Sequence, residues 1–226
     1  MKKIFLFLFL FFSLIPPAFA ENVFWSKELK PFDKQNLIVL GGGMAASLQL
    51  RPYDRKVRNY QEGNGYLLMG REDAKNISNV SHGFLEFAVA GTMLLTDYRE
   101  GLKISRALVY TSLSHLTLTK LTNRERPNHK DHNSWPSGHT ASMFALAGSL
   151  AGSYGAAGAI PGYGAAVLVA ASRIKQNNHW ISDVAAGAVL GTYWAMVTQG
   201  NSSEKDYAII PVAIDDGMLI TYEKSF

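Results

Sequence analysis

Long apolar runs separated by short polar segments dominate residues 84–198 of this chain. Most of the runs are about 13 to 18 residues long, Ala165–Ser172 is shorter, and their richness in Ala and Leu favours helices. Only the segment Asp97–Gly101 separates the first two runs, and so short a connection predicts an antiparallel helical pair. Small residues in the last run, including Ala186 and Gly191, allow close helix packing. The predicted helices are Phe84–Thr96, Leu102–Leu118, His139–Tyr154, Ala165–Ser172 and Ile181–Val197.

Three other segments complete the predicted architecture. Leu37–Leu50 surrounds three adjacent glycines and fits a helix or a buried strand, because each glycine costs a helix about 1 kcal/mol. Gly155–Gly164 carries four glycines and a proline, which predicts a turn or break between helices. Tyr207–Ile214 and Met218–Tyr222 flank Asp215-Asp216-Gly217, a pattern typical of a β-hairpin. The sequence therefore predicts a mainly α fold, a helical bundle with a short C-terminal β-hairpin.

The N-terminus has the pattern of a secretory signal peptide. Lys2 and Lys3 precede the apolar run Ile4–Ile15, and Ala18-Phe19-Ala20 supplies the small residues of a cleavage site before Glu21. We expect a signal peptide over residues 1–20 and a single domain over residues 21–226, with a catalytic core over about 84–198. An uncleaved membrane anchor is the alternative. The pattern predicts export to the cell envelope, with the domain facing the periplasm.

Composition restricts the remaining possibilities. The net charge is +4, or +2 without the two lysines of the signal segment, which is too small to indicate a nucleic-acid partner. The absence of cysteine excludes disulfides, thiolate catalysis and cysteine metal sites. The apolar runs are at or below the roughly 20 residues that span a bilayer, and Lys103 and Arg106 interrupt one of them. Membrane association is expected, but a soluble bundle stays open, and the oligomeric state is undetermined.

The segment SRIKQNNHWISD, residues 172–183, contains a candidate catalytic pair. If the chain is helical from Trp180 onward, His179 and Asp183 lie four residues apart on one face. Asp183 would then accept a hydrogen bond from one ring nitrogen of His179, which leaves the other nitrogen able to attack. Arg173 precedes His179 by six residues, the length of a short loop, and its guanidinium can hold two phosphate oxygens. A surface pair that caps a helix is the alternative.

Two further segments supply cations and a second histidine. In PSGH, Ser137 is a good N-cap and Gly138 shapes the turn, so free amides at the helix start would bind an anion facing His139. In that position His139 can donate a proton to a leaving oxygen. In KLTNRERP, Arg126 and Lys120 would reach the same space. Taken alone, each segment is equally compatible with an ordinary cap or a solvated basic helix end.

Metal chemistry is not expected from these residues. His129, Asp131 and His132 lie close together, but no further strong ligand accompanies them in a pattern typical of a metal site. The sequence indicates displacement at phosphorus without a metal, and no cofactor.

Together the three segments resemble the type 2 phosphatidic acid phosphatase superfamily, which also holds class A acid phosphatases and vanadium haloperoxidases. Its pattern is a lysine, six residues and Arg-Pro; then Pro-Ser-Gly-His; then Ser-Arg, five residues, His, three residues and Asp. The second and third parts match at Pro136–His139 and Ser172–Asp183. The first departs, because five residues separate Lys120 from Arg126, and Thr119 stands at the lysine position. Arg124 is a possible substitute.

The resemblance implies a helical bundle and a metal-independent phosphatase. It makes His179 the nucleophile that forms a phosphohistidine, Asp183 its orienting group and His139 the proton donor. It assigns phosphate binding to five residues: Lys120, Arg126, Ser137, Gly138 and Arg173.

The apolar helices and the predicted export favour a phosphomonoester or diphosphate of a membrane lipid as substrate. A soluble periplasmic acid phosphatase acting on small phosphoesters is one alternative. A vanadate-dependent haloperoxidase and a non-catalytic anion-binding envelope protein are the others.

Overall fold

The computed structural model describes residues 29, 31–63, 69–81 and 83–199, and the backbone of residues 208–214 and 217–223. The predicted signal peptide over residues 1–20 lies outside them. The described part is mainly α, which confirms the predicted fold class. Its helices are α1 (Lys34–Gln49), α2 (Asp54–Glu62), α3 (Arg71–Val80), α4 (Phe84–Thr96), α5 (Tyr98–Thr122), α6 (Gly138–Tyr154), α7 (Ala156–Lys175) and α8 (Ile181–Gln199), with a 3₁₀ turn over Arg51–Tyr53 between α1 and α2.

Helix α6 lies at the centre of the bundle. It packs against α5, α7 and α8, while α1 packs on α8, α3 on α7 and α4 on α5. Small side chains make the α6–α8 contact close: a Cβ at Gly191 would lie 2.1 Å from the carbonyl oxygen of Ala141. This contact holds the start of α8 beside the start of α6, where two of the three motifs lie.

The predicted helical pair is present as α4 and α5, which pack against each other. Helix α5 begins at Tyr98, earlier than the apolar pattern predicted, so that Asp97 alone separates the two helices. The Asp97 carboxylate accepts a hydrogen bond from the Glu100 amide at 3.3 Å. This side-chain cap lets a polar first turn start the helix before the apolar run begins.

The predicted break over Gly155–Gly164 is wrong. Only Gly155, with φ of 58°, interrupts the helices, and α7 runs from Ala156 through Pro161. Two of the glycines serve packing against α6: a Cβ at Gly158 would lie 2.2 Å from the Leu150 carbonyl oxygen, and one at Gly162 would lie 3.1 Å from the Ala147 Cα. Close contact with α6 therefore outweighs the weak helix propensity of this segment.

The glycine-rich segment near the N-terminus is helical. Of the two alternatives for Leu37–Leu50, the structure has the helix, as α1, and its contact with α8 explains how a segment of low propensity is stabilised. Near the C-terminus, backbone strands β1 (Ala208–Ile214) and β2 (Gly217–Glu223) pair antiparallel, with Ala208 opposite Glu223.

One helix in the described part of the chain, α7, is long and apolar enough to cross a membrane. Helices buried in soluble proteins also meet this criterion, so length and composition alone do not place α7 in a bilayer.

Candidate active site

The three motifs meet at one end of the bundle. The loop after α5 carries Arg126, the start of α6 carries Ser137 and Gly138, and the turn between α7 and α8 carries His179. Backbone contacts join them: the Ser137 amide donates to the Asp183 carbonyl at 3.0 Å. The Arg126 guanidinium donates to the Asn178 carbonyl at 3.0 Å. Residues that lie up to 59 positions apart in the chain therefore form one cluster.

His179 is held with one ring nitrogen directed into this cluster. Its Nδ1 lies 2.7 Å from the Ser134 carbonyl oxygen, which only accepts, so the proton lies on Nδ1. Its Nε2 therefore carries a lone pair, and it lies 3.1 Å from an Arg126 guanidinium nitrogen. The ring is 3% exposed. This tautomer and orientation are those that a nitrogen nucleophile needs.

The electrostatic surroundings keep His179 neutral. Burial, followed by the charges of Arg126 and Arg173, holds the pKa of His179 well below 6.5, and the nearby His139 acts in the same direction. A neutral imidazole at neutral pH retains the lone pair that attack requires.

Two guanidinium groups, those of Arg126 and Arg173, supply the positive charge of the site. Arg126 is fixed by Asp131, whose carboxylate accepts from its Nε at 2.7 Å. Arg173 donates to the Ser78 hydroxyl, and its buried Nε has no hydrogen-bond acceptor among the described residues. Burial and the Arg126 charge lower the pKa of Arg173 to about 10, so Arg173 is cationic at neutral pH. Two close cations, one with an unused donor, suit a multiply charged anion.

The start of α6 also suits an anion. Ser137 is the N-cap residue of α6, as predicted, but its hydroxyl pairs with the Thr140 hydroxyl at 3.0 Å and makes no side-chain cap hydrogen bond. The first-turn amides of Gly138 and His139 therefore lie at a helix start without a side-chain acceptor.

Asp183 supports the site in a way that differs from the sequence hypothesis. Its carboxylate is 3.9 Å from His179 Nδ1, too far for a hydrogen bond, and it accepts instead from the Ser134 hydroxyl at 2.5 Å. The Trp180 amide also donates to it, at 2.8 Å. Asp183 thus fixes Ser134, and the Ser134 carbonyl orients His179. Burial raises the pKa of Asp183 to about 6, so it is ionised at pH 7.

Arg124 does not replace the missing motif lysine. Its guanidinium donates to Asp183, to the Ser182 hydroxyl at 2.8 Å and to Asp54 at 2.6 Å. Asp54 also accepts from the Ser182 amide at 3.0 Å. Because both ends of the guanidinium are bound to carboxylates, Arg124 neutralises a buried acidic pair instead of presenting a free cation to phosphate.

Thr119, which stands at the motif-lysine position, is directed into the protein, whereas the Lys120 side chain is not. Thr119 is 5% exposed and its hydroxyl lies 3.3 Å from His115 Nδ1, whereas the Lys120 side chain is exposed. The His115 ring packs against Gly138 at the start of α6, where a Cβ would lie 2.7 Å from His115 Nε2. Burial lowers the pKa of His115, partly offset by the Pro136 backbone hydrogen bond. A neutral histidine here supports the loop.

Sequence reasoning missed three residues of this arrangement: Asp54, His115 and Ser134. His115 had a detectable signal, because it lies one helical turn before Thr119 on the same face of α5. Asp54 had none, because it lies 70 positions from the arginine that it binds and outside any motif.

Comparison with known proteins agrees with this geometry. A model of the PAP2 superfamily matches residues 103–203, which include all three motifs. The lipid A 1-phosphatase of Porphyromonas gingivalis is 44% identical over 71 residues, which are 30% of this chain and 16% of that protein. The chain therefore spans about a sixth of the length of this curated relative.

Two crystal structures share the fold. Aquifex aeolicus LpxE superposes with a TM-score of 0.57 and 19% identity, over 64% of this chain and 92% of that one. The transmembrane PAP2 type phosphatidylglycerolphosphate phosphatase of Bacillus subtilis gives 0.63 and 17%, over 76% and 98%. Over residues 103–203, which carry the three motifs, the chain is similar to the PAP2 superfamily, and it shares the helical fold of these two structures.

Proposed function

We propose that this protein is a phosphatase that hydrolyses a phosphomonoester or diphosphate of a membrane lipid through a phosphohistidine at His179. The observation that carries the proposal is the state of His179: buried, protonated on Nδ1, and with Nε2 at 3.1 Å from the Arg126 guanidinium. A simple anion-binding protein needs cations but has no use for an oriented neutral imidazole among them. The state of His179 therefore favours the phosphatase over a non-catalytic anion-binding protein.

The proposed reaction has two steps. His179 Nε2 attacks phosphorus, the bond from phosphorus to the leaving oxygen breaks, and His139 donates a proton to that oxygen. Water then attacks the phosphohistidine, with His139 taking the proton that it lost, and the bond from phosphorus to Nε2 breaks. Inorganic phosphate and the dephosphorylated alcohol, or the monophosphate of a diphosphate substrate, are the products.

Binding of the phosphoryl oxygens is assigned to groups on three elements. Arg126 and Arg173 supply positive charge, and the first-turn amides of Gly138 and His139 face the oxygens that gain charge in the transition state. Preorganised donors of this kind lower the barrier because they need no rearrangement during the reaction. No metal is required in this scheme. Asp183 acts through Ser134 as a positioning residue.

A lipid substrate is favoured by the surface and by the relatives. Large apolar side chains lie exposed on three helices, including Leu95 at 89%, Leu121 at 77% and Ile160 at 75%. Such residues suit contact with lipid. The relatives named above include two lipid phosphatases. We infer membrane association from these observations, while export behind a signal peptide stays a prediction.

The test is a phosphate-release assay of purified protein on phospholipid phosphates and on small soluble phosphoesters, in detergent, with and without EDTA. We expect release from a lipid substrate, no loss with EDTA, and inhibition by vanadate, whose trigonal bipyramid mimics the transition state. Release from soluble esters alone would favour the periplasmic acid phosphatase. No release from any substrate, with vanadate or phosphate still bound, would favour the non-catalytic protein.

The pH profile of kcat/KM provides a second test. The active form needs neutral His179 and ionised Asp183. His179 titrates well below 6.5 and Asp183 at about 6, both mainly because of burial. We therefore expect kcat/KM to fall only below about pH 6 as these groups take up protons. Thermal unfolding recorded over the same range serves as the control for acid denaturation. An acid limb centred above pH 6.5 in folded protein would contradict the assigned protonation states.

Substitution of Lys120 tests the departure from the family pattern. Because this side chain is exposed, Lys120→Gln should change kcat/KM by no more than about twofold, the usual range for a surface substitution. The matched variant Arg126→Gln, which also removes one positive charge, should lose far more activity because Arg126 contacts His179. Equal losses in the two variants would show that Lys120 reaches the phosphate.

A further inference from the structure

A basic cavity lies beside the proposed active site. Its volume is about 280 Å³, and it is lined by the turn over residues 176–178 and by four basic side chains, Arg71, Lys75, Lys130 and Lys175. These come from α3, from the loop after α5 and from the end of α7. Basic residues far apart in the chain thus converge on one space, and no carboxylate lines it.

The cavity and the active site share a wall. Asn178 lines the cavity, and its carbonyl accepts from the same Arg126 nitrogen that lies 3.1 Å from His179 Nε2. Its side-chain amide is fixed by Asn128 at 3.0 Å and by Gln176 at 3.1 Å. Gln176 in turn donates to the Ala74 carbonyl of α3 at 2.6 Å. This amide network holds the basic cavity at a fixed position next to the reacting nitrogen.

Three of the four cations that line the cavity have no carboxylate partner in the described part of the chain. Within the described ranges, Arg71, Lys75 and Lys130 form no ion pair, whereas the arginines of the active site are bound to carboxylates or hydroxyls. One acid near the cavity, Glu62, already accepts from Asn177 at 2.8 Å and pairs with Arg58 at 3.1 Å. Lys175 also lines the cavity and is 9% exposed. An arrangement of this kind attracts an anion with more than one charge.

We propose that this cavity binds a phosphate group other than the one that is hydrolysed. Several lysines approaching from different elements act as point charges around a tetrahedral dianion, whereas a planar carboxylate is better matched by a single arginine fork. The group is either a second phosphate on the same lipid or free inorganic phosphate. The inference deepens the proposed function, since it makes a lipid with two phosphate groups the preferred substrate.

The test compares two lipids, one with a single phosphomonoester and one with phosphomonoesters at two positions of its headgroup. The variant Lys75→Gln/Lys130→Gln removes two of the three exposed cations that line the cavity and leaves Arg71 in place. We expect KM for the two-phosphate lipid to rise about tenfold, with kcat unchanged and little effect on the one-phosphate lipid. The effect should shrink at high ionic strength, because salt screens exposed charges.

A matched control removes two exposed positive charges elsewhere. Lys34→Gln/Arg99→Gln lies outside both the cavity and the motifs, at the starts of α1 and α5, and should leave both KM values unchanged. Inhibition by inorganic phosphate is measured in parallel on the one-phosphate lipid. Weaker inhibition in the Lys75→Gln/Lys130→Gln variant, with unchanged KM for both lipids, would identify free phosphate as the ligand. Equal KM changes on both lipids, or no change in any measurement, would overturn the proposal.

A binding experiment separates this inference from the proposed function. The full chain carrying His179→Ala is titrated with detergent micelles that contain either lipid, so no turnover is needed. Tighter binding of the two-phosphate lipid, abolished by Lys75→Gln/Lys130→Gln, would support the cavity even if no phosphatase activity were found. Equal binding of the two lipids would overturn it even in an active enzyme.

Discussion

Replacing His179 with alanine should lower kcat/KM by about 10⁴-fold or more, since loss of the nucleophile removes the covalent route. The side chain is buried beside Arg126, with Nε2 at 3.1 Å from its guanidinium. Phosphate release from the lipid substrate measures the rate. Rapid acid quenching with a labelled phosphate ester should trap an acid-labile phosphoenzyme in the unaltered protein and none in His179→Ala.

The control for this variant is His132→Ala, which removes an exposed histidine from the loop that carries Arg126. It should retain activity, and circular dichroism should show the same helix content in both variants. Activity of His179→Ala within tenfold of the unaltered protein would exclude a nucleophilic role. A folded, inactive His179→Ala that still binds vanadate would separate chemistry from anion binding.

Replacing Arg124 with alanine should destabilise the fold by about 3–5 kcal/mol, the usual cost of removing one partner from a buried ion pair. The guanidinium lies between Asp54 and Asp183, which are 5% and 0% exposed. Its loss would leave two carboxylates buried without a counter-charge, at the position where α2 meets the start of α8. Chemical denaturation in mild detergent measures the free energy of unfolding.

Two companion variants distinguish the ion pair from other effects. Arg99→Ala removes an exposed arginine from α5 and should change the free energy of unfolding by less than about 0.5 kcal/mol. Adding Asp54→Asn to Arg124→Ala should recover part of the lost stability, because one of the two unpaired charges is then gone. If Arg124→Ala is as stable as Arg99→Ala, the Asp54–Arg124–Asp183 network is not a source of stability.

Local patterns predicted the helical class correctly. The apolar runs over Phe84–Thr96 and Ile181–Val197 became helices with nearly the predicted bounds. Helix periodicity is set by nearby residues and so can be read from the chain. The same local reasoning failed over Gly155–Gly164, because the close contact of α7 with α6 stabilises a helix that propensity alone disfavours.

The motif spacing predicted that His179 and Asp183 lie about one helical turn apart, but their contacts depend on a residue from a distant loop, Ser134. Ser134 lies 45 positions from His179, and its carbonyl takes the hydrogen bond that the sequence had assigned to Asp183. No pattern in the sequence links these residues, because the loop between α5 and α6 brings Ser134 to His179 only after the helices have packed together.

By itself, the sequence determined that this chain is helical and that two histidines, two arginines and an aspartate stand at spacings suited to phosphoryl transfer. Spacing and periodicity are properties of neighbours along the chain. Only the tertiary structure decided that Arg124 is bound by Asp54, that Thr119 and not Lys120 is directed inward, and that four basic residues enclose a second cavity. These relations depend on side-chain direction and on packing between distant segments, which spacing does not encode.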